Sequence, residues 1–220
     1  MKKFEFTGET KINVLGVKLF QIRCTVAFGD VKVGDVGGWI EKENNLSGNA
    51  WVFGNAQVYG NARVYGNARV CDNAWVCGDA RVYGDARVYG NAQVFGDAWV
   101  CDNARVCDNA QVFGDAWVCD NAWVCDNAWV YGDAQVCGDA QVCGDARVCG
   151  NADYCCFQCF GSANRTTTVF RTEAGIRVSC GCFFGTLDEF AQAVEKTHGD
   201  NKYGRAYKAM IELIKVRFDE

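Results

Sequence analysis

Fifteen cysteines and a single histidine in 220 residues bound the chemistry open to this chain. Seven of the cysteines fall into two series eighteen residues apart: Cys101, Cys119, Cys137 and Cys155, and Cys107, Cys125 and Cys143. Thiolates in such series are donors for a soft metal, for zinc or for an iron–sulfur cluster. A second group lies further on. Cys155, Cys156 and Cys159 carry a C-x-x-C, and Cys180 and Cys182 a C-x-C, which together offer two pairs to a structural zinc. Packing is the competing use, because Cys alternates with Tyr and Phe at equivalent positions and apolar size alone would meet that demand.

Arginine and aromatic residues recur with the same spacing. Arg63 and Arg81 accompany Tyr65 and Tyr83; Arg69, Arg87 and Arg105 accompany Tyr89; Trp99 and Trp117 follow in the first of these series. A flat cationic and aromatic surface of this kind suits an anionic small molecule or a protein partner. The alternative is a solvated face neutralised by nearby aspartates. His198 falls at the end of an expected helix, where a cation suits the helix dipole, and no histidine lies near the cysteine series. No nucleophile elbow, phosphate-binding loop or dinucleotide fingerprint occurs, so no catalytic role is expected.

The formal net charge of -5 argues against a general nucleic-acid coat or an anionic-membrane binder. No stretch approaches the roughly 18 apolar residues of a membrane span. The N-terminus has no apolar run of signal-peptide type. A reducing cytoplasm is the expected compartment, with the cysteines as thiols or metal thiolates.

The element that must position these residues is a repeat. From Leu46 to Tyr154 the sequence keeps a six-residue period, A-x-V-[Y/F/C]-[G/D]-[N/D]. Valine stands at every sixth position from Val52 to Val148, and alanine two residues before each. Alternation in A-x-V-[Y/F/C] puts Ala and Val on one face, inward, and the x and aromatic or Cys positions outward. Gly-Asn, Gly-Asp and Asp-Asn tolerate left-handed backbone and turn a corner. A strand of four and a corner of two, with three sides to a coil, sorts outward residues into columns eighteen residues apart.

This unit resembles the hexapeptide repeat of left-handed β-helix proteins, whose units carry an aliphatic residue at one position and a small residue four later. Many members of that family place Gly directly after the aliphatic residue; here Tyr, Phe or Cys stands there and Gly follows. The resemblance implies a left-handed parallel β-helix, of about six coils and roughly 29 Å at about 4.8 Å per coil. Hexapeptide acyltransferases share that fold but use a histidine on or beside the solenoid, and γ-class carbonic anhydrases use three for zinc. The repeats here contain none, which disfavours both activities and leaves at most a degenerate acyltransferase-like ligand binder. The segment Asp30 to Ser47, and the stretches S-C-G-C-F-F-G-T-L-D-E-F and T-H-G-D-N-K-Y, resemble parts of bacterial and phage hexapeptide-repeat proteins of uncharacterised function.

The expected architecture is mainly β: residues 1–45 a β-rich N-terminal cap, 46–154 the solenoid, and 155–220 a small ββαα domain. Strands are expected at Lys11–Val14 and Val17–Val26, and again at Thr166–Arg171 and Ile176–Phe184. Thr186 and Glu189 form a capping box opening one helix. A second runs from about Tyr203 to Phe218, with Ala206, Met210, Leu213, Ile214 and Arg217 at helical spacing. The expected role is a non-catalytic scaffold of phage or bacterial setting, showing its ladders to a protein partner or to another copy. A thiolate-rich metal-binding solenoid is the alternative.

Overall fold

A computed structural model describes residues 2–219. Strands β1 (Phe4–Ile12), β2 (Lys18–Cys24) and β3 (Val36–Ile40) precede the very short repeat strands β4 (Trp51–Val52) through β20 (Arg147–Val148). An antiparallel sheet, β21 (Tyr154–Phe160), β22 (Arg165–Thr172), β23 (Gly175–Cys180) and β24 (Phe183–Gly185), follows. Helices α1 (Leu187–His198) and α2 (Lys202–Phe218) end the chain.

The repeat strands pair in parallel with partners eighteen residues on, so Val100 sits against Val82 and Val118, and Val106 against Val88 and Val124. The result is a three-sided parallel β-solenoid of about six turns. Every repeat alanine from Ala56 to Ala146 and every valine from Val52 to Val148 is fully sealed inside. Most hexads spend three amides on the next coil: Trp99 N donates to Ala116 O at 2.9 Å, Cys101 N to Val118 O at 2.9 Å and Asn103 N to Asp120 O at 2.8 Å. Ala104 N closes the corner onto Cys101 O at 3.1 Å. Regular strand covers only the x and Val positions, two residues rather than four, because the corner begins directly after the outward aromatic or Cys.

Both ends need a cover, since a coil edge exposes unmet backbone groups. At the first coil the buried Asn45 amide donates to Gly60 O at 3.1 Å and Ala62 O at 2.8 Å. Strands β1 and β2 extend the face that contains β3 in antiparallel fashion, and Phe4, Ile22 and Val31 join the inner core. The repeat register starts earlier than the Leu46 boundary. Trp39 and Ile40 pair with Gln57 and Val58, and Leu46 bridges Val64, with Gly38 and Asn44 standing where alanine would be.

At the last coil Tyr154 takes the next valine position and lies in the inner core with Phe170. Its hydroxyl donates to Gln135 O, while Asn151 Oδ1 accepts Gln135 N at 2.9 Å and Thr168 Oγ1 accepts Gln141 N at 3.0 Å. The sheet thus turns one face to the solenoid and the other, through Val169 and Val178, to Phe190, Tyr207, Met210 and Ile214 of the helices.

The C-terminal region is therefore four strands and two helices, not ββαα. Strand β21 hides in a run of cysteines and aromatics, and the expected Ile176–Phe184 strand is cut by a turn at Gly181–Cys182. The Thr186–Glu189 capping box forms as expected. On α2 the buried face is Tyr207, Met210, Ile211, Ile214 and Phe218, while Leu213 is exposed.

The corners supply a test. Gly84 has φ of 70°, and a Cβ there would meet Asp102 N at 2.7 Å; Gly54 has φ of 57° and its Cβ would lie 3.6 Å from the nearest backbone atom. Gly54→Ala is expected to cost about 1–2 kcal/mol for left-handed backbone alone. Gly84→Ala should cost clearly more, because the coil below is backbone and cannot yield. Denaturant unfolding of the two variants checks the order.

Candidate functional site

The outer positions form the columns that the register dictates, and their upper and lower halves differ. On one face Tyr65 and Tyr83 stack with ring centres 4.9 Å apart and planes 3° from parallel. The Arg81 guanidinium sits 4.8 Å over the Trp99 ring, and Trp99 meets Trp117 edge-on at 5.7 Å. On the next face Arg69, Arg87 and Arg105 stand in register, the first paired with Asp30. With Phe53, Cys71, Asp72 and Tyr89 they line an open groove of about 670 Å³. On the third face Phe95, Phe113 and Tyr131 stack at 4.8 and 5.1 Å, and Arg147 covers Trp129 at 4.3 Å. Trp117, Trp123 and Trp129 occupy one coil, one on each side, and each stays at least 36% exposed.

The two cysteine series differ from a simple exposed ladder. Cys101 and Cys107 lie outside the inner core, yet each is only 1% exposed. The indole of the following coil folds over them: Trp117 Nε1 donates to Cys101 Sγ at 3.2 Å and Trp123 Nε1 to Cys107 Sγ at 3.1 Å. Each thiol in turn donates to its own corner carboxylate, Cys101 to Asp102 Oδ2 at 3.2 Å and Cys107 to Asp108 Oδ2 at 3.1 Å. Below them, the Cys125 and Cys143 sulfurs lie within 4.8 Å of each other, and Cys107 stands one coil before Cys125 in the same column. Contact with Cys125 draws the Cys107 and Cys143 thiols down, and the same contacts push Cys125 up. Burial, with Asp120 adding to it, raises Cys119 to about 12.

Cys155 does not extend the first series. Tyr154 occupies the valine position and Cys155 pairs with Val169 in β21–β22, packed toward the second core. Burial raises its thiol to about 11, against the pull of Arg217. The five exit cysteines are not brought together either. Cys156 faces the solenoid core; Cys159 is exposed at a bulge with φ of 61°; Cys182 is exposed in its turn; Cys180 is buried, accepting a hydrogen bond from Thr167 Oγ1 at 3.2 Å. Among the described residues, one group of three donors converges: Cys125, Asp126 and Cys143, with ligand atoms within 4.8 Å of one another. His198 lies on α1 with its ring 5.7 Å from Tyr207.

Asp126 is the residue that sequence reasoning passed over as a corner-former. The signal was present. The corner after Tyr or Phe is Gly throughout the repeats, whereas Asp72, Asp102, Asp108, Asp120 and Asp126 each follow a cysteine and take φ near 60°. A left-handed aspartate projects a side chain beside the preceding residue, where a thiol fits and can donate to it.

The YdcK Beta solenoid repeat family matches residues 56–72, 62–78, 74–90, 80–96, 86–102 and 140–152. The chain is a β-solenoid repeat protein. No curated protein matches it. Among the described residues no helix is long and apolar enough to cross a membrane.

Two measurements follow from the thiol environments. With a maleimide under native, reducing-agent-free conditions, Cys137, Cys149, Cys159 and Cys182 should modify first, and Cys24, Cys101, Cys107 and Cys180 only on unfolding. Stability should also fall on alkalinisation. Cys119, Cys155, Tyr89 and Tyr207 have folded values raised to about 12, 11, 12 and 12. The unfolded chain therefore loses these protons first, and the stabilisation present below about pH 9 is lost as pH rises through 11 to 12. Chemical denaturation at pH 8, 10 and 11.5 should show a monotonic decline.

Proposed function

We propose that the chain is a non-catalytic scaffold whose outer ladders seat a protein partner or a second copy of itself. The observation that carries this reading is the tryptophan belt. Trp117, Trp123 and Trp129 encircle one coil and remain more than a third exposed, although indole is the side chain most enriched where protein surfaces meet. Beside Trp129 the stacked Phe113 and Tyr131 rings make the surface flat and stiff, which lowers the ordering cost of association.

The arginine groove supplies the polar part of such an interface. Among the described residues Arg87 and Arg105 form no ion pair, so acidic side chains of the partner, or an anionic small molecule, would neutralise two guanidinia one coil apart. The non-catalytic part of the reading rests on His198, which sits on a helix against Tyr207 rather than on the solenoid faces. The resemblance to bacterial and phage repeat proteins suggests a cytoplasmic setting in a bacterial or infected cell.

Light scattering over a concentration series tests the self-association form. The expected result is a mass above the monomer at tens of micromolar, with Trp123→Gln weakening assembly by about 2 kcal/mol, roughly thirtyfold. A monomer at every concentration, with all three belt tryptophans open to a collisional quencher, contradicts self-association. A protein partner whose binding survives both Trp123→Gln and Arg87→Glu contradicts the scaffold surface itself.

A further inference from the structure

The strongest unassigned chemistry lies where the second face of the prism meets the C-terminal sheet. Cys125 and Cys143 are stacked one coil apart, and Asp126 follows Cys125 at the corner. One ligand atom from each lies within 4.8 Å of the other two. Donors about 2.3 Å from one tetrahedral ion stand roughly 3.8 Å apart, so an ion would draw the three atoms inward by up to about 1 Å.

The donors are also held in place. Asp126 takes φ of 58°, and its Oδ2, 3.9 Å from Cys125 Sγ, accepts Gly144 N at 2.9 Å, which fixes the carboxylate beside the two cysteines. Cys143 packs against the inner core. The Phe184 ring covers the neighbouring Gly144 corner. The equivalent set on the first face, Cys119, Asp120 and Cys137, has the same bond from Gly138 N to Asp120 Oδ2 at 2.9 Å, yet among the described residues its three donors do not come within 4.8 Å of one another.

We propose that Cys125, Cys143 and Asp126 bind one zinc-class divalent ion, clamping the last two coils beside the C-terminal sheet. Two thiolates and a carboxylate are a three-donor set for such an ion, with the fourth position left to water. An iron–sulfur cluster takes four thiolates, and a carboxylate is too hard a donor to favour Cu(I). Binding displaces the two thiol protons to solvent, so affinity falls as pH is lowered. The clamp is independent of whether the outer ladders bind a partner.

The test uses the reduced, metal-stripped full chain titrated with Cd(II) alone, read by the thiolate-to-cadmium ultraviolet band, with Zn(II) and Cu(I) as competitors. One tight equivalent is expected, releasing about two protons, raising the melting temperature and yielding to Zn(II). Cys143→Ser should abolish it, Asp126→Asn should weaken it tenfold or more, and Cys119→Ser should leave it intact. A tight equivalent that survives both Cys125→Ser and Cys143→Ser, or a wild type that binds no better than Cys143→Ser, overturns the proposal. If a variant fails to fold, X-ray absorption of the zinc-loaded wild type decides. Two sulfurs with oxygen support the site; any other sulfur count refutes it.

Discussion

Every feature of this molecule depends on one constraint: each coil must place its backbone amides on the carbonyls of the next while its valines stay sealed between them. The bonds from Trp99, Cys101 and Asn103 to the coil eighteen residues on fix translation and rotation together. A one-residue slip would turn the buried valines out and the outer residues in. Because the inner face admits no slip, the outer positions inherit a vertical register at one strand spacing, whatever their side chains prefer.

That inherited register explains why chemically unlike residues share a column. Where aromatic rings follow each other they stack, as Tyr65 and Tyr83 do. Where a tryptophan follows a cysteine column, the larger indole leans over the thiol of the coil before it and buries it. Where an aspartate turns the corner, its carboxylate takes either the thiol beside it or the amide one coil on, as Asp108 and Asp126 do respectively. At Cys125, Asp126 and Cys143 an aspartate corner meets two stacked thiols, and Gln141 stands where the tryptophan of the next coil would be.

Much of this was legible in the sequence. The alanine–valine period dictated the inner face, and the eighteen-residue sorting placed Arg69, Arg87 and Arg105 together, as the strand pairing has them. Thr186 and Glu189 announced α1. The first coil was missed because Gly38 and Asn44 stand at alanine positions, breaking the pattern before Ile40 and Leu46 could be recognised in it. The placement of Cys155 failed because Tyr154 fills the valine position and the chain then leaves the coil, a choice the period does not encode. The burial of Cys101 depends on how Trp117 of the next coil is oriented, which is a tertiary fact. Asp126 was readable only through the coupling of Asp corners to cysteine.

The most direct measurement of the inherited register is oxidative tyrosine cross-linking of the dilute monomer, followed by peptide mapping. Tyr65 and Tyr83 are eighteen residues apart with parallel rings 4.9 Å apart, whereas Tyr59 and Tyr65, or Tyr83 and Tyr89, are six apart on different faces. The account predicts a Tyr65–Tyr83 dityrosine and neither of the six-residue products. Cross-links between Tyr59 and Tyr65 or between Tyr83 and Tyr89, without Tyr65–Tyr83, would contradict the three-sided stacking on which the columns rest.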